Sequence, residues 1–256
     1  MALVTGAARG IGAAVVRRLC ASGHHVYALD ACLGDDPGMP YPLASREDLA
    51  RVAGEHPDRV SDVVADVREP EALRRTVARI VAEQGRLDRV VAAAAVIDGG
   101  APLWQTDVAV LERLWAVDVL GVWHTAAASV PELLHRSPED RPGFVAIASS
   151  AADSGLWHLA AYGMVKHAVA GLVRGLAADL RDTQVSVAGV SPGSTDTAML
   201  AATARIYGLA DASGLADRQR AGRLLTADEV AAVVELAATA GPVVHGSVLA
   251  AGGFVT

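Results

Sequence analysis

The 256-residue chain is short of several residue types, and each shortage narrows the class of protein. Its two cysteines, Cys20 and Cys32, offer neither a disulfide framework nor the spacing of a metal site, so we expect no bound metal and a reducing, cytoplasmic environment. No apolar run reaches the roughly 20 residues of a membrane-spanning helix. The net charge of −7 provides no basic surface for nucleic acid or anionic lipid. We therefore expect a cytoplasmic protein with neither a nucleic-acid nor a membrane partner.

Lysine and asparagine are the scarcest polar residues. The chain contains no asparagine, and Lys166 is its single lysine among 22 lysine and arginine residues. Lys166 follows Tyr162 by four positions, a spacing that places both side chains on one face of a helix. An ammonium near a phenol favours the phenolate, which brings a group with a pKa of about 10 toward general-base chemistry. We predict that the two residues act together; the alternative is a chance surface lysine.

Short Val- and Ala-rich runs alternate with amphipathic stretches along the whole chain. Seven strands alternating with helices predict one doubly wound α/β domain over 1–256, with a seven-stranded parallel sheet flanked by helices. Segment 31–45 is predicted to be an irregular insertion, and segment 198–222 a lid over a substrate pocket. The predicted strands are 2–4, 25–29, 60–64, 89–93, 143–148, 185–190 and 247–250, and the predicted helices include 10–22, 69–83, 107–134 and 161–180.

A glycine-rich turn follows the first predicted strand at 5–12, Thr-Gly-Ala-Ala-Arg-Gly-Ile-Gly, and opens the first helix. Such glycines permit a tight turn and let backbone N–H groups approach a pyrophosphate, which is typical of a Rossmann-type dinucleotide site. Asp30 ends the second strand, where a carboxylate binds the ribose hydroxyls and repels a 2′-phosphate, so NAD is favoured over NADP. The alternative for Asp30 is a solvated start of a loop. Asp66 and Val67, after the third strand, are predicted to contact the adenine.

Ser149 precedes Tyr162 by 13 residues and ends a predicted strand. Together with the glycine turn, Tyr162-(x)3-Lys166 and Pro192-Gly193, this spacing resembles the short-chain dehydrogenases/reductases over essentially the whole chain. The resemblance implies that Ser149 orients the substrate oxygen, that Tyr162 is the acid/base, and that Lys166 lowers the pKa of Tyr162 and holds the nicotinamide ribose. Ser150 is an alternative to Ser149. The implied cofactor-binding residues are Gly6, Ala8, Arg9, Gly10, Ile11, Gly12, Asp30, Ala31, Asp66, Val67, Ala93, Ala94, Ala95, Tyr162, Lys166, Pro192, Gly193, Thr195 and Thr197.

The chain departs from that family at two polar positions. The family's Asn-Asn-Ala-Gly after the fourth strand is replaced by four alanines at 92–95, and a catalytic asparagine in the fifth helix is replaced by Asp118. An ionised Asp accepts a hydrogen bond but cannot donate one, and its charge competes with Lys166. We predict that Asp118 is a catalytic relay member. The alternative is a buried helix residue whose carboxylate is satisfied by the backbone.

Four segments resemble a narrower group, the mycofactocin-dependent branch of the family. The stretch from Asp30 to Asp66 spans 36 positions, roughly ten more than common loop lengths would require, and 96–100, 155–162 and 191–197 also resemble that branch. The resemblance implies that the insertion holds NAD so tightly that it does not exchange, and that mycofactocin reoxidises the NADH. The alternative is an ordinary surface loop, because lengthening a loop costs little.

The substrate pocket is predicted from apolar residues that flank the catalytic helix. Trp157, His158 and Met199 are predicted to line it, with Trp104, Trp123 and Tyr207 as further candidates; for Trp115 and Trp123 the alternative is the core or a subunit interface. No arginine or lysine is placed to receive a phosphate or an acyl-carrier group. We therefore expect an apolar small-molecule alcohol or carbonyl substrate.

The predicted function is an NAD-dependent oxidoreductase that interconverts a secondary alcohol and a ketone, with tightly held NAD and mycofactocin as the external electron acceptor. Two alternatives stay open: an ordinary short-chain dehydrogenase with freely exchanging NAD, and a non-enzymatic NAD-binding sensor. The resemblance also implies a homotetramer, with the helices around 107–134 and 161–180 between subunits.

Overall fold

The protein is built on one parallel sheet. The structure, a computed structural model, describes residues 1–219 and 221–252. The strand order is β3-β2-β1-β4-β5-β6-β7, and every neighbouring pair is parallel. This architecture confirms the predicted α/β fold. The strands are β1 (Ala2–Thr5), β2 (Val26–Asp30), β3 (Val60–Val64), β4 (Arg89–Ala92), β5 (Gly143–Ile147), β6 (Ser186–Pro192) and β7 (Val248–Ala251).

Helices cover both faces of the sheet. They are α1 (Gly10–Ala21), α2 (Arg46–Gly54), α3 (Pro70–Gln84), α4 (Val108–Leu114), α5 (Leu120–Leu133), α6 (Ala160–Asp179), α7 (Ala198–Ile206) and α8 (Ala227–Thr239). Short 3₁₀ helices lie at Leu103–Gln105, Pro138–Asp140, Ser150–Ala152, Ala212–Arg218 and Gly241–Val244. Residues of α1, α2 and α8 join one buried apolar cluster, and residues of α3, α5 and α6 join a second. The central strands are therefore buried on both faces, which explains their nearly continuous apolar sequences.

The helix predicted over 107–134 is not one regular helix. A single π turn, Trp115–Val119, separates α4 from α5. The prediction of one continuous helix was wrong here. A π turn contains one residue more than an α-helical turn, and the spacing of apolar residues in the sequence is too coarse to reveal it. Such turns are frequent at functional sites, and this one carries the buried Asp118.

Two helices that the sequence analysis did not name begin with capping boxes. In α2, Ser45 and Asp48 exchange side-chain to backbone hydrogen bonds, and in α8, Thr226 and Glu229 do the same. The pattern of Ser or Thr followed three residues later by an acidic residue is the sequence signal that would have found both.

The two segments predicted to be irregular differ in structure. Segment 31–45 contains neither helix nor strand. The segment predicted as a lid, 198–222, begins with the regular helix α7, which Thr197 caps by accepting a hydrogen bond from the Leu200 N–H. Within that segment Arg220 lies outside the described residues, as do positions 253–256 of the predicted domain. Among the described residues, no helix has the length and hydropathy needed to span a membrane.

Candidate active site

A large cleft opens at the carboxyl ends of the strands, where the strand order reverses between β1 and β4. In open parallel sheets this reversal point is where ligands bind. The cleft holds about 1850 Å³ of non-protein space, including its open mouth. Its lining runs from the glycine turn after β1 to Tyr207, so one cleft includes both the predicted nucleotide turn and the predicted substrate side.

The turn between β1 and α1 forms the nucleotide end of the cleft. Gly6 has a φ of +65°, and a Cβ there would lie 2.7 Å from the Ala94 Cα, so a larger residue is excluded. Helix α1 begins at Gly10 without a side-chain cap, and Gly10, Ile11 and Gly12 line the cleft. Uncapped N–H groups at the positive end of a helix are suited to bind a pyrophosphate. This turn therefore fits the dinucleotide that the sequence predicts.

Asp30 and Asp66 place acidic groups beside that turn. The two Asp30 oxygens accept hydrogen bonds from the backbone N–H groups of Ala8 (3.1 Å) and Cys32 (3.0 Å), which fixes the carboxylate at the end of β2. Burial would raise the pKa of Asp66, but hydrogen bonds from Arg68 outweigh it and lower the pKa overall. Both aspartates line the cleft.

Every predicted cofactor-binding residue except Ala8 lines the cleft. Ala8 is buried, and its part is to donate the N–H that holds Asp30. Sequence reasoning missed a group of lining residues that come from the insertion and from the loops after β3 and β4: Leu33, Asp36, Met39, Leu43, Ala44, Arg68, Val96 and Ile97.

Ser149, Tyr162 and Lys166 meet at the other end of the cleft. Tyr162 and Lys166 lie one turn apart in α6, and Ser149 follows β5. The Ser149 hydroxyl accepts a hydrogen bond from the Ala151 N–H (3.1 Å), and it lies close enough to Tyr162 to lower the pKa of that phenol. Ser150 also lines the cleft but has no such contact with Tyr162 among the described residues. The geometry favours Ser149 over Ser150.

Tyr162 and Lys166 are almost fully buried, and this affects their protonation. Burial is the largest influence and raises the pKa of Tyr162; the charge of Lys166 lowers it and that of Asp118 raises it again, so the net direction is upward. The Lys166 ammonium lies 5.5 Å from the centre of the Tyr162 ring. Lysine therefore pulls the phenol toward ionisation, as expected, but against both burial and a nearby carboxylate.

Asp118 is that carboxylate, and it forms an ion pair with Lys166. Its Oδ2 lies 3.0 Å from the Lys166 Nζ, and its Oδ1 accepts a hydrogen bond from the Val96 N–H (2.9 Å). Among the described residues Oδ2 receives no aligned hydrogen bond, so the contact with Lys166 is mainly electrostatic. The alternative to a relay role was that backbone groups satisfy the Asp118 carboxylate. The backbone provides a hydrogen bond to one of its two oxygens, Oδ1.

The insertion reaches across the nucleotide end of the cleft through Tyr41. This side chain is buried, and its hydroxyl accepts a hydrogen bond from the Ile97 N–H (3.1 Å) in the loop after β4. Arg9, in the glycine turn, lies over the Tyr41 ring at 5.8 Å and donates to the Pro42 carbonyl (2.9 Å). The insertion is thereby connected to both sides of the cleft.

The substrate end of the cleft is mostly apolar. Met199 and Tyr207 line it, as do Val117, Leu156 and Leu159. The predicted pocket residues Trp157 and His158 do not line it: their rings stack on each other at 3.4 Å, and Trp157 lies 6.0 Å from the Tyr207 ring. They stand beside the pocket rather than in its wall, because the positive φ of His158 turns the chain at this point.

Arg113 is a pocket-lining charge that sequence reasoning missed. Its Nη2 donates to the Asp98 Oδ2 (2.7 Å), and the Asp98 Oδ1 accepts from the Gly99 N–H. The sequence analysis placed no arginine at the pocket, whereas the structure places Arg113 in its lining with the guanidinium paired with Asp98. No short local pattern links positions 98 and 113, which come together through the fold.

The exposed aromatic residues lie on the surface of this chain. Trp104, Trp123 and Trp157 are 81%, 61% and 64% exposed, and Trp115 is 38% exposed. Neither Trp104 nor Trp123 lines the cleft. The core alternative for Trp115 and Trp123 is therefore wrong for the isolated chain, because neither ring is enclosed by it.

Comparisons with known proteins agree with this architecture. A family model described as enoyl-(acyl carrier protein) reductase matches residues 6–254. A (−)-trans-carveol dehydrogenase of Rhodococcus erythropolis is 35% identical over 208 residues, 78% of this chain and 72% of that protein. A cis-4-hydroxycyclohexanecarboxylate dehydrogenase of Sinomonas cyclohexanicum is 33% identical, with 100% of this chain and 96% of that protein covered.

A solved structure of a dehydrogenase has the same fold as this chain. The carveol dehydrogenase from Mycobacterium avium in complex with NAD superposes with a TM-score of 0.88 at 28% identity, over 97% of this chain and 94% of that one. The relatives of this chain are thus named dehydrogenases. The chain itself contains the glycine turn, the cleft, and the grouping of Ser149, Tyr162 and Lys166. The chain belongs to the short-chain dehydrogenase/reductase family and is an oxidoreductase.

Proposed function

We propose that this protein is an NAD-dependent dehydrogenase that interconverts a small secondary alcohol and the corresponding ketone. The observation that carries the proposal is the meeting of Ser149, Tyr162 and Lys166 in one cleft with the Asp30 carboxylate at its nucleotide end. A negative charge held at that position repels a 2′-phosphate, which favours NAD over NADP. Membership of an oxidoreductase family leaves the non-enzymatic sensor without support.

The chain's own groups account for the proton transfer. During oxidation Tyr162 takes the hydroxyl proton of the alcohol, and the Ser149 hydroxyl donates a hydrogen bond to the oxygen on which negative charge develops. Lys166 favours the ionised form of Tyr162 because its ammonium faces the ring. Bound NAD supplies the hydride acceptor. The predicted relay role of Asp118 stays a prediction.

The pocket wall favours an uncharged, apolar alcohol. Its lining includes Val117, Leu156, Leu159 and Met199, and its charged member Arg113 is already paired. A substrate carboxylate would therefore have to compete with Asp98 for the guanidinium. The relatives are named for carveol and for a hydroxycyclohexanecarboxylate. We propose that this chain takes an uncharged alcohol of comparable size, and that 198–222 acts as the lid over it. Comparing kcat/KM for matched pairs of neutral alcohols and hydroxy acids tests the preference.

We further propose that NAD is held tightly and does not exchange during turnover. The support is the Tyr41 contact with Ile97, together with the Arg9 contact with Pro42, which close the insertion over the nucleotide end. The insertion is also closed on itself, since the Gly34 N–H donates to the Ala44 carbonyl and the Leu43 N–H donates to the Gly34 carbonyl. A nucleotide beneath this bridge leaves only when those contacts break. Mycofactocin is the proposed external acceptor that reoxidises the NADH in place.

The nucleotide content of the purified protein tests this proposal. The protein is dialysed exhaustively and denatured, and the released nucleotide is identified and counted. We expect close to one NAD(H) per chain, and alcohol oxidation that proceeds with an artificial electron acceptor but not with added NAD alone. An empty protein that turns over with added NAD would instead identify an ordinary exchanging dehydrogenase.

A homotetramer is the proposed assembly. The support is the exposure of Trp115 and Trp123, and of Met164 in α6, on the helices predicted to pack between subunits. Exposed apolar side chains that form one patch commonly mark an interface, and we propose that these three residues contribute to such a patch.

A further inference from the structure

A buried pair of opposite charges, Asp118 and Lys166, lies behind the catalytic tyrosine. Asp118 is 1% exposed and Lys166 is 2% exposed, yet each carries a group that water would solvate strongly. Burying an ion pair is a weak source of stability, because the loss of hydration offsets most of the attraction. The position of the pair, with the Lys166 ammonium 5.5 Å from the centre of the Tyr162 ring, indicates a different use.

The ammonium of Lys166 faces two groups at once. On one side Asp118 lies 3.0 Å away, and on the other the centre of the Tyr162 ring lies 5.5 Å away. The Lys166 Nζ also lies 3.5 Å from the Ile147 carbonyl oxygen. At the phenol, the field of a closely paired ammonium is smaller than that of a lone one, because the carboxylate charge opposes it.

We propose that Asp118 is a positioning residue that sets the pH at which Tyr162 exchanges its proton, by cancelling part of the Lys166 charge. The inference rests on the proposed acid/base function of Tyr162. In this arrangement the carboxylate fixes the ammonium in place, and it keeps the phenol protonated to higher pH than an uncompensated lysine would. An asparagine at position 118 has the same shape but no charge. The positive charge of Lys166 would then act on Tyr162 without an opposing negative charge.

Titratable groups act on the Tyr162 hydroxyl from three elements. Lys166 acts from α6 itself, Asp118 from the π turn, and Tyr41 from the insertion, while the Ser149 hydroxyl approaches from the segment after β5. Tyr41 stays neutral in the working range, since burial raises its pKa to about 12. Of these groups, Lys166 and Asp118 carry the opposing charges. Removing the negative one lowers the pH at which the phenol ionises.

The substitution Asp118→Asn tests the inference because it removes the charge and keeps the shape. The chain has four tyrosines, so labelling tyrosine with ¹³C at Cζ yields four resolvable NMR signals, and Tyr162→Phe identifies the one that matters. We expect the pH midpoint of the Tyr162 titration to fall by about one pH unit or more in Asp118→Asn. Shifts of this size are typical when a charge near a titrating group is removed. The Tyr27 signal, from a tyrosine that donates to Glu83, serves as the unmoved control. An unchanged or raised Tyr162 midpoint would overturn the inference.

A second measurement uses the wild-type protein and does not depend on the variant folding. The chain has a single lysine, so ¹⁵N labelling at lysine Nζ reports Lys166 alone. A buried lysine without a partner loses its proton well below its ordinary pKa of about 10.4, whereas Asp118 and Tyr162 raise the pKa of Lys166 against burial. We expect the ammonium signal to persist to about pH 10. A lysine that discharges below that pH would contradict the pairing on which the inference depends.

Kinetics then separate this inference from the proposed function. In alcohol oxidation the active form of Tyr162 is the phenolate, so kcat rises with pH, and Asp118→Asn should move that rise to lower pH by the shift seen in the NMR titration. If no alcohol is oxidised at all, the proposed function fails while the NMR titration still decides the role of Asp118. If Tyr162 titrates as expected but the kcat profile does not follow, the acid/base assignment fails and the charge effect stands.

Discussion

At the scale of single residues, the chemistry of this protein depends on how its few buried polar side chains are held. Tyr162 and Lys166 share one helix face, while Ser149 is fixed by its hydrogen bond from the Ala151 N–H. Because burial raises the pKa of Tyr162, its ionisation depends on the charges immediately around it. Small changes at these positions should therefore change rate more than folding.

Replacing Tyr162 with Phe removes the proton acceptor and leaves the ring that fills its site. We expect kcat for alcohol oxidation to fall by about 10²- to 10⁴-fold, the usual contribution of general acid–base catalysis, with the NAD(H) content per chain unchanged. The matched control is Tyr207→Phe, which alters a tyrosine of the cleft outside the catalytic group. An unchanged kcat in Tyr162→Phe would remove the basis of the mechanism.

The charge of Asp30 governs which dinucleotide binds. Asp30→Asn retains an oxygen to accept the Ala8 or Cys32 N–H and removes the charge that repels a 2′-phosphate. We expect the preference for NAD over NADP to fall by roughly tenfold or more, since ~1.4 kcal/mol corresponds to a factor of ten. The nucleotides released by denaturing protein equilibrated with both measure the ratio. A ratio equal to that of the wild type would exclude Asp30 as the selecting group.

At the scale of elements, two features that interrupt regular structure shape the site. The π turn at Trp115–Val119 brings Asp118 to Lys166, and the insertion at 31–45 brings Tyr41 to Ile97. Neither belongs to the helices and strands that form the frame, yet each supplies a buried contact to the cleft. The frame therefore sets where the cleft is, and the irregular segments set what surrounds it.

The Tyr41 contact should control how fast nucleotide leaves. In Tyr41→Phe the ring remains and the hydrogen bond to the Ile97 N–H is lost, which weakens the closure by about 0.5–1.5 kcal/mol. We expect release of bound NAD(H), followed by its fluorescence or by exchange with labelled NAD, to accelerate by roughly 2- to 10-fold. Tyr27→Phe, which removes a tyrosine hydroxyl that donates to Glu83 in α3, is the control. Equal release rates in the two variants would indicate that the insertion does not retain the nucleotide.

At the scale of the whole molecule, the sheet carries one cleft with a polar nucleotide end and an apolar substrate end, while apolar side chains lie on an outer surface of α4 to α6. Trp123 is the most exposed of the large apolar residues on α5 and α6. In the proposed tetramer this side chain would be buried between subunits.

Trp123→Glu tests the proposed tetramer. A carboxylate buried in an apolar interface is strongly unfavourable, so we expect the mass in solution, measured by light scattering, to fall from four chains toward smaller species. Val64→Glu is the control, because Val64 is also exposed but lies at the end of the edge strand β3, away from those helices. A wild-type protein that is already monomeric, or a Trp123→Glu tetramer, would contradict the proposed interface.

Much of this protein is determined by local sequence alone. The strands lie within two residues of their predicted positions, because buried parallel strands require continuous apolar runs. The glycine turn and Asp30 were predicted because they immediately follow strands, and Tyr162 and Lys166 because four residues make one helical turn. The predicted nucleotide-binding residues other than Ala8 line the cleft for the same reason, whereas the predicted pocket residues Trp157 and His158 do not line it.

The remaining features depend on contacts between distant parts of the chain. Tyr41 meets Ile97 across 56 positions, Val96 meets Asp118 across 22, and Lys166 meets Asp118 only because the π turn and α6 pack together. A hydrogen bond or ion pair of this kind has no local pattern, since its partners are brought together by the order of strands in the sheet. The sequence by itself therefore determined the frame and the glycine turn, and it predicted which residues are the proposed catalytic ones. Tertiary structure decided how the insertion closes the cleft and which charges surround the reacting phenol.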